Sequence, residues 1–176
     1  NSQPYVIYQQ LRDTFDVQVL DSSNTDRIPA DISTLLVAHP AGFPDKVQAA
    51  QKAMLAADGV VIATPEYNYG ISSALKNAID WLSRMTPQPF AAKPTAIFGA
   101  SGGVLGTARA QYQLRQTLVF LDGRPVNKPE VMIGQATAKF SPEGKLTDEA
   151  VGKFLTDLGA ALGLAIRQAK AAASIK

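Results

Sequence analysis

Short runs of near-continuous hydrophobicity alternate with longer amphipathic stretches from one end of this chain to the other, and that alternation excludes most folds at once. Val17–Leu20, Thr34–Ala38, Val60–Thr64, Thr95–Gly99 and Val131–Gly134 are five such runs. A strand with one wet face alternates apolar and polar residues. A strand apolar throughout is covered on both faces, as in a parallel sheet between helical layers. The intervening stretches 4–15, 45–57, 72–84, 104–121 and 148–173 repeat apolar residues at helical spacing. In 72–84 the stripe is Leu75, Ala78, Ile79 and Leu82, with Ser72 or Ser73 as N-cap. Thr147 precedes the last helix, which places Asp148 and Glu149 in its first turn, where the helix dipole favours negative charge. Five strands and five helices in 176 residues predict an α/β chain. The expected fold is a flavodoxin-like three-layer sandwich with a five-stranded, mostly parallel sheet, formed by residues 1–176 as a single domain. One irregularity stands out. Only the polar stretch 21–33 separates the first two strands, where a parallel crossover normally carries a helix.

Composition removes several chemistries. The chain has no cysteine, which excludes disulfides, thiolate metal sites and a cysteine nucleophile. Its single histidine, His39, excludes a multi-histidine metal centre. Seventeen Lys and Arg against 15 Asp and Glu, scattered along the chain, give no argument for nucleic acid. No apolar run approaches the ~18 residues that span a bilayer, and no signal peptide is visible. The expectation is a cytoplasmic protein without membrane or nucleic-acid partners.

Open α/β sheets bind ligands in the loops after the strands' carboxyl ends. The loop Thr64–Gly70 carries two aromatics, an amide and a carboxylate, more than a connection requires. Aromatic rings can flank a planar ligand, and backbone N–H groups before a helix can meet its polar edge; docking of the tyrosines on a second subunit is the competing reading. Glycine fills four of the eight positions in Gly99–Gly106, so a ligand could approach that backbone closely. This loop is neither a P-loop nor a dinucleotide fingerprint. It fits G-x-S-x-G with Ser101 as nucleophile, but no histidine follows Ser101 as the hydrolase order demands. The loop 39–44 offers His39 as a base or phosphate ligand, or as an ordinary strand-end histidine, and contains two prolines without N–H groups. Arg109 and Arg115 fit phosphate binding or salt bridges, and Trp81 fits packing.

The strings ADGVVIATPEYNYG at 57–70, LKNAIDWLSR at 75–84, GASGGVLGTARAQYQLRQ at 99–116 and VFLDGRPVNKPEVMIG at 119–134 occur in this order. Over residues 43–169 the chain resembles the NAD(P)H-dependent FMN reductases that include bacterial quinone and chromate reductases. The resemblance implies an oxidoreductase that takes hydride from NAD(P)H onto FMN and passes electrons to a small acceptor such as a quinone. It implies cofactor-binding residues Pro65, Glu66, Tyr67, Asn68, Tyr69 and Gly70 on one loop, and Ser101, Gly102 and Gly103 on the other. It also implies a homodimer or higher homo-oligomer through the YNYG loop and the LKNAIDWLSR helix.

The family opens with a strand and a phosphate-cradling loop that this chain lacks. Residues 4–40 instead resemble a piece of the auxiliary protein of gliding-motility-type ABC transporters, on PYVIYQQLRDTFDVQVLD and IPADISTLLVAHP. This makes 1–42 an atypical N-terminal segment before an FMN reductase-like 43–176, and points to a recombined or designed chimera. Two expectations follow: FMN affinity below the family's, with riboflavin binding nearly as well, and, as the alternative function, a flavodoxin-like scaffold with no catalytic activity.

Overall fold

A computed structural model describes residues 45–174, which fall within one compact unit, Asp45–Lys176. The elements expected at 4–15, 17–20 and 34–38 lie outside the described residues. In chain order the elements are α1 (Asp45–Ala56), β1 (Val60–Ala63), β2 (Glu66–Tyr67), β3 (Gly70–Ile71), α2 (Ser73–Leu82), β4 (Pro94–Ala100), α3 (Ala108–Phe120), β5 (Arg124–Pro125), β6 (Val131–Ile133), a 3₁₀ turn (Ala136–Ala138) and α4 (Glu149–Ala173).

β4 is the centre of the described sheet. On one side it pairs in parallel with β1, Val60 opposite Thr95 through Ala63 opposite Phe98. On the other side its first half meets β5 and its second half β6, both parallel. The strands expected at 60–64, 95–99 and 131–134 are therefore adjacent and parallel. β4 reads apolar throughout because both faces are covered, and Thr95, Ala96 and Ile97 are each almost fully buried. Alternation splits it between two cores. Ala96, with Phe98 and Ala100 beside it, joins Val126, Val131, Ile133, Val151 and Leu158 in one cluster, where α4 packs. Ile97 points to the other face, where Ile79 of α2 and Leu114 and Leu118 of α3 are also fully buried. Trp81 is buried as packing.

Several boundaries differ from expectation for local reasons. α3 begins at Ala108, not 104, because Gly106 sits at φ +58°, outside the helical region. It ends in a Schellman motif: Gly123 N–H donates to Leu118 O at 2.8 Å and Asp122, at φ +51°, donates to Val119 O at 3.2 Å. α2 is capped by Ser72, whose Oγ accepts the Leu75 N–H at 3.3 Å. The cap of α4 is Asp148 itself: its Oδ1 accepts the Val151 N–H at 3.0 Å, while Thr147 Oγ1 donates to Lys139 O. β5 carries no sequence signal, since proline is a poor strand former. The chain brackets Pro125 with the Arg124 N–H on Lys93 O and the Val126 N–H on Thr95 O, so the missing donor costs the ladder nothing. Among the described residues no helix is long and apolar enough to cross a membrane.

Candidate functional site

Parallel pairing puts the carboxyl ends of β1, β4 and β6 at one edge of the sheet, and both chemistry-rich loops leave from there. The Thr64 N–H donates to Phe98 O at 3.0 Å, extending the β1–β4 pairing to the foot of the first loop. The second loop starts one residue beyond Ala100. Close approach is built in where the two meet: a β-carbon on Gly99 would overlap the Thr64 carbonyl oxygen and come within 2.6 Å of Thr107 Oγ1.

The first loop is a miniature hairpin. Glu66 pairs with Ile71 and Tyr67 with Gly70, and the turn residues Asn68 (φ +49°) and Tyr69 (φ +67°) are both left-handed. Two positive φ values define the turn type that matches the twist of antiparallel strands. Asparagine tolerates that conformation; a tyrosine there costs about 1–2 kcal/mol. A ladder of two residue pairs cannot hold such a turn unaided. α3 holds it instead.

Glu66 supplies the first anchor. Its side chain is only 4% exposed. Oε2 accepts the N–H groups of Arg109 (2.9 Å) and Ala110 (3.1 Å) at the start of α3, and Oε1 takes Arg109 Nε (2.6 Å) and Nη2 (2.5 Å). Thr107, at the N-cap position, makes no side-chain capping bond, so a carboxylate from 43 residues away caps α3 in its place. Burial by itself pushes the Glu66 carboxyl up, but the Ala110 N–H, the Arg109 guanidinium and the Arg109 N–H together hold it below the ordinary glutamate range. Arg109 is raised in turn, first by its hydrogen bond to Glu66. The guanidinium lies 3.6 Å from the centroid of the Tyr69 ring. Gln113, one turn along the same face of α3, is the second anchor: its Oε1 accepts the Ile71 N–H and its Nε2 donates to Tyr69 O, each at 3.3 Å. A side-chain amide thus imitates a neighbouring strand.

The second loop is held by its own backbone. Ser101 N–H donates to Ile133 O (2.9 Å), Ala136 N–H donates to Ser101 O (3.0 Å), and Ser101 Oγ accepts the Gly103 N–H (3.1 Å). Among the described residues the N–H of Gly102 has no partner. Among the described residues a β-carbon on Gly102 would meet nothing within 4 Å, and one on Gly103 only Ser101 Oγ at 3.5 Å. Packing against these residues demands neither glycine. Their effect is to leave a stretch of backbone bare beside the hairpin, which suits a cofactor that lies against main chain.

The structure therefore brings Pro65, Tyr67, Asn68, Gly70, Ser101, Gly102 and Gly103 to one sheet edge. Glu66 and Tyr69 sit on the same hairpin, but the Glu66 carboxylate and one ring face of Tyr69 are engaged by α3. Arg109 is a salt-bridge partner, as is Arg115, which donates to Val126 O and lies 3.8 Å from Glu130. Ser101 has no imidazole near it among the described residues, and the loop 39–44 lies outside them. Gln113 was not foreseen; a glutamine on an amphipathic helix carries no local signal of such a role. No cluster of metal-ligating side chains occurs among the described residues.

The layered parallel sheet with loops at its carboxyl edge defines a flavodoxin-like α/β fold. Comparison with known proteins agrees. An NAD(P)H:(acceptor) oxidoreductase from Paracoccus denitrificans superposes with a TM-score of 0.62 at 34% identity, over 71% of this chain and 69% of that one. An NAD(P)H-dependent FMN reductase of Pseudomonas aeruginosa is 53% identical over 127 residues, 72% of this chain and 69% of the relative. A quinone reductase of Escherichia coli is 50% identical over 130 residues, 73% and 69% of the two. The model of the NADPH-dependent FMN reductase family matches residues 6–138. The chain belongs to that family. The match begins at residue 6, so it includes the stretch read as a transporter fragment; neither that second resemblance nor a chimera finds support, and neither do an inactive scaffold or a weakened FMN site.

Proposed function

We propose that this chain is an FMN-dependent oxidoreductase that draws hydride from NAD(P)H and delivers electrons to a quinone-type acceptor. The observation that carries the reading is the pairing, at the carboxyl ends of adjacent parallel strands, of the Pro65–Gly70 hairpin with the bare Ser101–Gly103 backbone, in a chain of this family. FMN, when bound, supplies the hydride and electron chemistry that the side chains cannot. The protein's own contribution is positional. Next to Ser101, Gly102 and Gly103 offer main chain that a planar group can approach without meeting a β-carbon. The Gly102 N–H, without a partner among the described residues, would be a donor for charge that builds at a ring edge. Pro65, Tyr67, Asn68 and Gly70 form the opposite lip, and Tyr67, 63% exposed, limits what reaches it.

We read residues 1–176 as one flavodoxin-like domain that works as a homodimer or higher homo-oligomer. An open cleft of about 680 Å³ beside the hairpin, lined by Tyr67, Ile71, Lys76, Gln113 and Thr117, supports assembly, as does the exposure of Tyr67 and Tyr69. Purified protein should carry flavin absorbance and oxidise NADPH or NADH when menadione is added. Absence of both, after incubation with excess FMN, rejects the function. A monomer mass by light scattering at micromolar concentration rejects the oligomer.

A further inference from the structure

Resemblance transfers Glu66 to the site as a cofactor-binding residue, yet among the described residues the hydrogen bonds of its carboxylate all go to α3. Both oxygens are occupied: Oε2 by the Arg109 and Ala110 N–H groups, Oε1 by the Arg109 side chain. The side chain is nearly inaccessible, so no lone pair faces a ligand. What lies beyond the clamp is the left-handed pair Asn68–Tyr69, with Arg109 stacked on the Tyr69 ring.

We propose that Glu66 is a positioning residue and not a ligand: by capping α3 and drawing Arg109 onto Tyr69, its carboxylate locks the Tyr67–Asn68–Tyr69 turn in the shape that the flavin loop needs. The role rests on the flavin reading for its purpose, but the lock itself is a property of the polypeptide. Two features of the fold make a lock necessary. The hairpin has only two residue pairs, below what stands alone in water. Its turn also holds a tyrosine where glycine is the ordinary choice. A loop that samples several shapes binds with an affinity reduced by the fraction of time spent in the competent one. Removing the lock should therefore weaken flavin binding without changing the chemistry of the complex once formed.

The two carboxylate oxygens do separable work, which gives a test that does not need flavin. Hydrogen exchange is measured on the flavin-free protein, following the amides of Arg109 and Ala110 (the cap), Ile71 (the hairpin) and Ile97 (the sheet). In Glu66→Ala the cap and hairpin amides should exchange about tenfold faster or more, with Ile97 unchanged. Glu66→Gln can turn its amide oxygen to the two N–H groups but must present its NH₂ to the guanidinium. The cap amides should then stay near wild type, while Ile71 alone loosens by about threefold to tenfold. In both variants the FMN dissociation constant should rise by a comparable factor, with kcat at saturating FMN within about twofold of wild type.

Unchanged exchange at all three sites together with weakened FMN binding would make Glu66 a direct ligand and overturn the proposal. Faster cap exchange with Ile71 unaffected in both variants would reduce Glu66 to a helix cap, and also overturn it. If Glu66→Ala does not fold, the Glu66→Gln comparison stands by itself. A wild-type protein that binds no flavin at all would reject the proposed function, while the exchange pattern would still decide the lock.

Discussion

Gly99 and Thr64 lie so close across the β1–β4 pair that any β-carbon at position 99 would overlap the Thr64 carbonyl oxygen. Behind it, Thr107 Oγ1 would be met at 2.6 Å, so the backbone has no direction in which to yield. Thr64, almost fully buried, begins the loop that carries Pro65 and Glu66, and Thr107 precedes α3. Gly99→Ala must then push apart the foot of the hairpin and the helix that anchors it. The expected loss is about 1–3 kcal/mol or more, the cost of overpacking a well-packed interior. Chemical denaturation of the variant checks this, and a loss below about 1 kcal/mol would show that the two strands separate more easily than the close packing implies.

Gly102 is the counter-case. Among the described residues a methyl group there meets no atom within 4 Å, and the backbone is not left-handed. Gly102→Ala should leave stability within about 0.5 kcal/mol of wild type. If the bare backbone exists for a cofactor, the same substitution should weaken FMN binding by about tenfold or more, because the added carbon stands where the ring must approach. Stability and flavin titration run side by side make the test. Unaltered FMN binding would remove Gly102 from the site.

How much of this could be read beforehand depended on whether the physics was local. β1, β4 and β6 were legible because burial on both faces leaves a continuous apolar run in the sequence. The loops were legible because parallel strands send their carboxyl ends to one edge. The hairpin inside 65–71 was not legible. Its turn lacks the Asn-Gly signature, and the tyrosine at the second left-handed position is held by Arg109 and Gln113, both distant in sequence. The same distance hid the partners of the Glu66 carboxylate, which lie at the start of α3, 43 and 44 residues along the chain. Glycine-rich sequence at 99–106 did not say which glycines serve packing, as Gly99 does, and which leave space among the described residues, as Gly102 does.

Asp148 gives a prediction in pH. Its carboxylate accepts the Val151 N–H at 3.0 Å and lies 3.7 Å from Lys139 Nζ. The Val151 N–H foremost, with Lys139 and the Ala150 N–H, holds it below the ordinary aspartate value against a smaller opposing effect of burial. A depressed folded-state pKa stabilises the fold above the unfolded value of about 3.9, and that contribution disappears as pH falls through the lower folded value. Asp148→Asn keeps a capping oxygen but cannot titrate. The melting temperature of wild type should therefore exceed that of the variant near neutrality, and the gap should close below about pH 4. A gap independent of pH would show that the charge on Asp148 contributes nothing.

Gln113 is the second anchor of the hairpin, and its two bonds are long and solvent-exposed, 3.3 Å each. Each should contribute at the low end of the range for such bonds, roughly 0.5 kcal/mol. Gln113→Ala should leave global stability nearly unchanged while raising Ile71 amide exchange by about threefold to tenfold. Gln113→Glu is the more informative change. It preserves the acceptor for the Ile71 N–H but sets a carboxylate oxygen against the Tyr69 carbonyl, where Nε2 donated before. Repulsion between two acceptors should loosen the turn at least as much as deletion does, although the side chain is the same size. The order expected for Ile71 exchange is wild type slowest, then alanine, with glutamate equal to or faster than alanine. If the glutamate variant instead exchanges like wild type, only the Ile71 bond matters, and the strand-like bracket by Gln113 is not what fixes the turn.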